Sequence, residues 1–231
     1  MKAYILIGPP GSGKGTLSKR CIEQFGWKQL STGNLCRMHV AQETEIGKQI
    51  DAYLKAGKLM SDELIAQMVD AWLSDVTKGK KPIILDGFPR TINQAKILYE
   101  LTKEKYPLLQ LSVIRFIISD EAAIDRICNR FICNNTDCQA VYSGKGTSGL
   151  GAQKNMQCDM CGAALSRRED DVPEVIQGRL HTYRKYEQHM LNYFTESKQP
   201  VHEFEVERPF NEIFSSFLES VVPGMHDTDK K

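Results

Sequence analysis

Five consecutive apolar residues, Ala3 to Ile7, end abruptly at Gly8-Pro9-Pro10-Gly11. An unbroken run of this kind has no polar face, so it predicts a strand covered on both sides, as in a parallel sheet. Lys14 to Phe25 reads as a helix stopped by Gly26, which leaves Gly8 to Gly13 as the turn between strand and helix. A second helix signal opens at Ser61, with Asp62 and Glu63 in its first turn and Leu64, Ile65, Met68, Val69, Trp72 and Leu73 on one face. Pro82 to Leu85 and Leu111 to Ile118 are further apolar runs separated by a helix-length segment. Strands alternating with helices predict a mostly parallel α/β sheet, whose ligands belong at the carboxyl ends of the strands.

The alternation fails from Cys133 to Ser166, a stretch rich in Gly, Ser, Asn and Cys with little apolar periodicity, which reads as an inserted subdomain. A long amphipathic helix is expected from Asp170, carrying Val175, Ile176, Leu180, Tyr183, Met190 and Phe194. A strand near Val201 to Val206 and a last helix from about Pro209 follow. His226 to Lys231 is expected to be disordered.

Composition narrows the function classes. The chain has 231 residues, 41% of them hydrophobic, enough for one buried core with insertions. Its formal net charge of +1 gives no overall field for nucleic acid or an anionic membrane, so any anion site must be local. The first apolar run is too short for a signal peptide or a spanning helix, and a cytoplasmic location is expected. Four of the seven cysteines, Cys133, Cys138, Cys158 and Cys161, lie close together in sequence. Their two-by-two spacing is that of a tetrahedral, four-thiolate zinc site with no open position, and hence structural; buried free thiols are the alternative.

The segment Gly8 to Thr16, GPPGSGKGT, has the composition and context of a phosphate-binding loop. Its glycines let backbone N–H groups converge on phosphate oxygens, the helix N-terminus adds positive potential, and Lys14 supplies a full charge. Gly15 stands where most such loops carry a magnesium-binding Ser or Thr, and Thr16 follows it. This variant resembles the nucleoside monophosphate kinases. It implies ATP contacts from Gly11, Ser12, Gly13, Lys14, Gly15 and Thr16, with Mg2+ held by phosphates and waters.

Other segments carry the same resemblance. Leu30 to Arg37 looks like the family's acceptor-nucleotide motif, implying AMP contacts from Thr32 and Arg37, although Asn34 replaces the usual Asp. Ala56 to Leu64 resembles the segment that closes the acceptor pocket, bringing in Lys58, Leu59 and Met60. Ile84 to Gln94, ILDGFPRTINQ, is similar to the family's Asp-Gly-Phe-Pro-Arg signature. There Asp86 would hold magnesium's waters, Gly87, Phe88, Pro89 and Arg90 would meet AMP, and Gln94 would hydrogen-bond the adenine edge. Arg126, Arg130, Arg168 and Arg179 match the arginines that clamp the two nucleotides. Val141 and Tyr142 resemble lid residues near the ATP base and ribose, although Ser143 stands where His is common. Arg208 would lie near the ATP base, although Glu205-Val206 replaces an Asp-Gly turn.

The resemblance points to the adenylate kinases with a long, cysteine-bearing lid. It implies a P-loop three-layer α/β fold with a parallel sheet, a helical acceptor-binding insert at 31–60, and a lid at 130–167. The core would comprise 1–30, 61–129 and 168–231. The implied reaction is ATP + AMP = 2 ADP, with Lys14, Arg90, Arg126, Arg130, Arg168 and Arg179 catalytic and a monomer as the working form. A UMP or CMP kinase, a GTP-using kinase, and an inactive nucleotide-sensing zinc module remain as alternatives.

Overall fold

The structure is a computed structural model that describes residues 1–55, 61–135, 138, 140–144, 151–152 and 156–225. Lys58, Leu59 and Met60 lie outside the described residues, as do Gln139 and the tail 226–231.

Strand β1 (Lys2–Ile7) is followed by α1 (Lys14–Phe25), β2 (Lys28–Ser31), α2 (Thr32–Ala41), α3 (Glu45–Lys55) and α4 (Asp62–Val76). Then come β3 (Ile83–Asp86), α5 (Ile92–Glu104), β4 (Gln110–Ile117), α6 (Asp120–Cys128), β5 (Arg130–Cys133), β6 (Val141–Ser143) and β7 (Leu165–Ser166). Helix α7 (Pro173–Glu196), β8 (Val201–Glu205) and α8 (Phe210–Val221) complete the order. The main sheet is parallel throughout, ordered β2-β3-β1-β4-β8. The smaller sheet, β6-β5-β7, is antiparallel.

Alternation along β1 divides the core. Ala3, Ile5 and Ile7 face one side with Val69 and Leu73 of α4, Leu98 of α5 and Phe194 of α7. Tyr4 and Leu6 face the other with Leu17 and Cys21 of α1, Ile127 of α6 and Phe217 of α8. Because successive side chains point to opposite faces, one wholly apolar strand feeds two layers of helices. Trp27 closes the second layer, stacked on Tyr4 at 4.9 Å between ring centroids.

The sequence expectations for α1 and α4 agree with the structure: Gly26 ends α1 with φ 65°, and Ser61 caps α4 by accepting from Leu64 N. The long helix α7 starts at Pro173, not at Asp170, with proline at its first position. Asp170 and Asp171 are instead engaged by arginines, as described below. The described helices include none long and apolar enough to cross a membrane.

Candidate active site

The carboxyl ends of β1, β2 and β3 lie side by side, with Asp86 in register with Leu6 and Ser31. The turns that leave these ends carry the phosphate loop, the start of α2 and the Gly87–Thr91 segment. In the loop Gly11 has φ +82°, and a Cβ there would come within 2.6 Å of the Ala123 carbonyl, so no side chain fits. Lys14 Nζ donates to the carbonyls of Gly8 (2.7 Å) and Pro9 (2.9 Å) and to Ser12 Oγ (3.2 Å). Burial holds its ammonium down to about 8; Asp86 opposes this, and the charges of Arg90, Arg179 and Arg130 add to it.

On the acceptor side Thr32 is buried and donates through Oγ1 to the Gly87 carbonyl at 2.8 Å, which also accepts from Arg90 Nε at 2.8 Å. Gly87 has φ +83°, and a Cβ there would meet Thr32 Oγ1 at 2.7 Å and Arg90 Nη2 at 2.8 Å. Arg37 Nη2 donates to Asn34 Oδ1 at 2.5 Å. Asn34 therefore fills the position with a neutral acceptor that orients Arg37 without offsetting its charge. Gln94 is 2% exposed, with Oε1 accepting from Arg90 N at 2.7 Å and Nε2 donating to Asp62 Oδ1 at 2.8 Å.

The insert's two hinges meet here. Arg130, at its entry, donates through Nε to Asp171 Oδ2 at 2.9 Å and through Nη2 to Asp171 Oδ1, a two-pronged pair in which the carboxylate side chain is 2% exposed. Arg179 Nη1 lies 3.1 Å from Asp170 Oδ2 and 3.7 Å from Asp171 Oδ1. Burial lowers Arg168 to about 9, helped by the charges of Arg37 and Arg130 and opposed by Asp171 and Asp170. Its buried Nε has no hydrogen-bond partner among the described residues. Lys14, Arg37, Arg90, Arg130, Arg168 and Arg179 thus converge on one place, each within electrostatic reach of others. The three carboxylates of Asp86, Asp170 and Asp171 cannot neutralise these six cations, so the site is built for a polyanion.

The profile of the family described as Adenylate kinase matches residues 6–199. An adenylate kinase of Chlamydia trachomatis is 35% identical over 229 residues, covering 94% of this chain and 89% of the relative. Those of Thermosipho africanus and Archaeoglobus fulgidus are each 38% identical, over 84% and 82% of this chain and 88% and 84% of the relatives. The chain belongs to the adenylate kinase family.

In this adenylate kinase family member Arg126 stands apart from the other arginines. Its Nη2 donates to the Val206 carbonyl, which ties α6 to the 205–208 segment, where Arg208 donates through Nε to the Glu205 carbonyl at 3.1 Å. An ideal Cβ on Gly15 would lie 4.0 Å from Asp86 Oδ2, so the glycine leaves open room beside the carboxylate where a serine would project. Val141 and Tyr142 lie on β6, and the Tyr142 hydroxyl lies 3.3 Å from Cys158 Sγ while accepting from Asp159 N at 2.8 Å. That phenol is turned into the cysteine cluster.

The sulfurs of Cys133, Cys138, Cys158 and Cys161 all lie within 4.8 Å of one another, with Cys133 to Cys161 at 3.4 Å and Cys138 to Cys158 at 3.7 Å. A tetrahedron of ~2.3 Å zinc–sulfur bonds has edges of about 3.8 Å, so the four thiols suit one metal ion. The Cys158 thiol is lowered because the Tyr142 hydroxyl and the backbone N–H groups of Cys161 and Met160 outweigh the effect of burial. Asp62, Asp170 and Asp171 read in the sequence only as residues at helix starts, and the structure brings all three into the site's hydrogen-bond network. For Asp170 and Asp171 the signal is the acidic run Glu169-Asp170-Asp171 that follows Arg167-Arg168.

Proposed function

We propose that Lys14, Arg90, Arg130, Arg168 and Arg179, with Arg126 beside the ATP base, clamp ATP and AMP for in-line transfer between them. The reaction is ATP + AMP = 2 ADP, the activity of the family. An AMP phosphate oxygen, already ionised at neutral pH, attacks the γ-phosphorus, and the bond to the β,γ-bridging oxygen breaks. No proton has to be removed, so the chain supplies position and positive charge. The convergence of Lys14 and five arginines at the strand ends is the observation that carries the reading.

In the same reading Gly11 to Thr16 cradle the ATP phosphates, and Val141, Arg208 and the backbone of Tyr142, whose phenol is taken up by the cysteine cluster, approach its base and ribose. Thr32, Arg37, Lys58, Leu59, Met60, Gly87, Phe88, Pro89 and Gln94 surround AMP with Arg90, Arg168 and Arg179. Asp86, with the open room beside Gly15, would hold the waters of Mg2+, which would supply neutralisation of phosphate charge when bound. Cys133, Cys138, Cys158 and Cys161 would hold Zn2+ as a closed structural site. Residues 31–60 form the acceptor insert and 130–167 a lid that shuts out water over the core of 1–30, 61–129 and 168–231. A cytoplasmic monomer working without membrane or nucleic acid completes the reading.

Initial rates with AMP, CMP and UMP as acceptors, and with ATP and GTP as donors, test it. The expected result is the highest kcat/KM for ATP with AMP. Equal or better use of CMP, UMP or GTP would overturn the acceptor or donor assignment, and no transfer at all would favour a sensing module.

A further inference from the structure

Three donors from the N-cap and first turn of α5 converge on the carboxylate of Asp62, the first residue of α4. Thr91 Oγ1 is 3.1 Å from Oδ1, Asn93 Nδ2 is 2.9 Å from Oδ2, and Gln94 Nε2 is 2.8 Å from Oδ1. The other end of the Gln94 amide, Oε1, accepts from the backbone N–H of Arg90 at 2.7 Å. A carboxylate only accepts and a backbone N–H only donates, so both neighbours dictate the same orientation of the amide. Each neighbour uses half of its atom's capacity, leaving Gln94 one N–H and one oxygen lone pair in a fixed order.

We propose that Asp62 is a purine-selecting positioning residue: by locking the Gln94 amide, it makes the acceptor site read an adenine edge and reject a 6-oxopurine edge. Adenine offers an acceptor at N1 beside a donor at N6, which the locked amide can pair as donor and acceptor. Inosine and guanosine monophosphates present the reverse, a donor at N1 and an acceptor at O6, and would need the amide turned over. Turning it would set Nε2 against the Arg90 N–H and Oε1 against the Asp62 carboxylate, two buried mismatches at once. This inference rests on the placement of the acceptor base beside Gln94.

The test is the ratio of kcat/KM for AMP over IMP, with ATP as donor, in the whole protein. Asp62→Ala should narrow the ratio by about tenfold, mostly through a higher KM for AMP, with the KM for ATP moving less than about twofold. Asp62→Asn, which can turn either atom toward Gln94, should narrow it by about threefold and decides the matter if the alanine variant does not fold. Asn93→Ala removes another donor to the same carboxylate and should leave the ratio unchanged. Unchanged ratios in the folded Asp62 variants would overturn the proposal, as would equal narrowing by Asn93→Ala, which would mean that general rigidity of the turn matters. Gln94→Ala separates this from the underlying reading. If it abolishes the preference while the Asp62 variants do not, only the role of Asp62 is lost; if it keeps the preference, the base lies elsewhere and both fall.

Discussion

The strand ends that carry Lys14 rest on two large buried apolar clusters, one on each face of the sheet. The insert between α6 and α7 has, among the described residues, only Cys133, Ala140, Tyr142, Cys158 and Leu165 buried together, and two of these are cysteines. Side chains at the sheet edge are thus held by a scaffold that does not depend on them. In the insert the groups that would bind a metal are themselves the core. Chemistry and folding should separate in the first region and coincide in the second.

The largest expected effect breaks the chemistry alone. Lys14→Met should lower kcat by about 10³-fold or more, because charge stabilisation carries phosphoryl transfer, while thermal unfolding stays within a few degrees of the parent. A folded variant with near-normal turnover would remove Lys14 from the site. Cys158→Ser should do the reverse. Metal content measured by elemental analysis should fall from about one zinc per chain toward none, and the insert should lose protection from hydrogen exchange, since sites of this type supply about ten kcal/mol of folding free energy. Turnover should drop by only about tenfold, through poorer closure. If the parent protein holds no metal, the four-thiolate reading fails.

A pH profile sharpens the comparison from the side of the loop. Lys14 titrates at about 8 without nucleotide, lowered by burial, so it carries its charge below that pH and loses it above. The kcat/KM for ATP, which reports the free enzyme, should be level below about pH 8 and fall toward tenfold per unit above it. A level profile to about pH 10 would contradict the assignment of that group. The smallest effect belongs to Thr32→Ala, which removes one of two hydrogen bonds to the Gly87 carbonyl and leaves that of Arg90. It should weaken AMP relative to CMP or UMP by about fivefold, the worth of one hydrogen bond; an unchanged preference would show that Thr32 does not select the base.

What the sequence showed follows the same division. Strand β1, helix α1 and the loop between them were legible because an apolar run, a glycine-rich turn and a helix stop each have a local cause. The cysteine set was legible because metal ligands are read by spacing. Strand β2 was not, since Lys28–Ser31 is an edge strand with Leu30 as its one buried residue. Helix α7 starts at Pro173 and not at Asp170, and the sequence does not show this because only the fold brings Arg130 and Arg179 to Asp171 and Asp170. Asp62 reads as a helix-start acid, and its three donors lie about thirty residues further along the chain.

The most direct test is phosphorus NMR of the protein mixed with ATP, AMP and magnesium. Both nucleotides should convert to ADP until equilibrium with almost no inorganic phosphate, and Cys158→Ser should raise the phosphate share by loosening the closure that excludes water. Unreacted ATP and AMP, or ADP formed with stoichiometric inorganic phosphate, would contradict it.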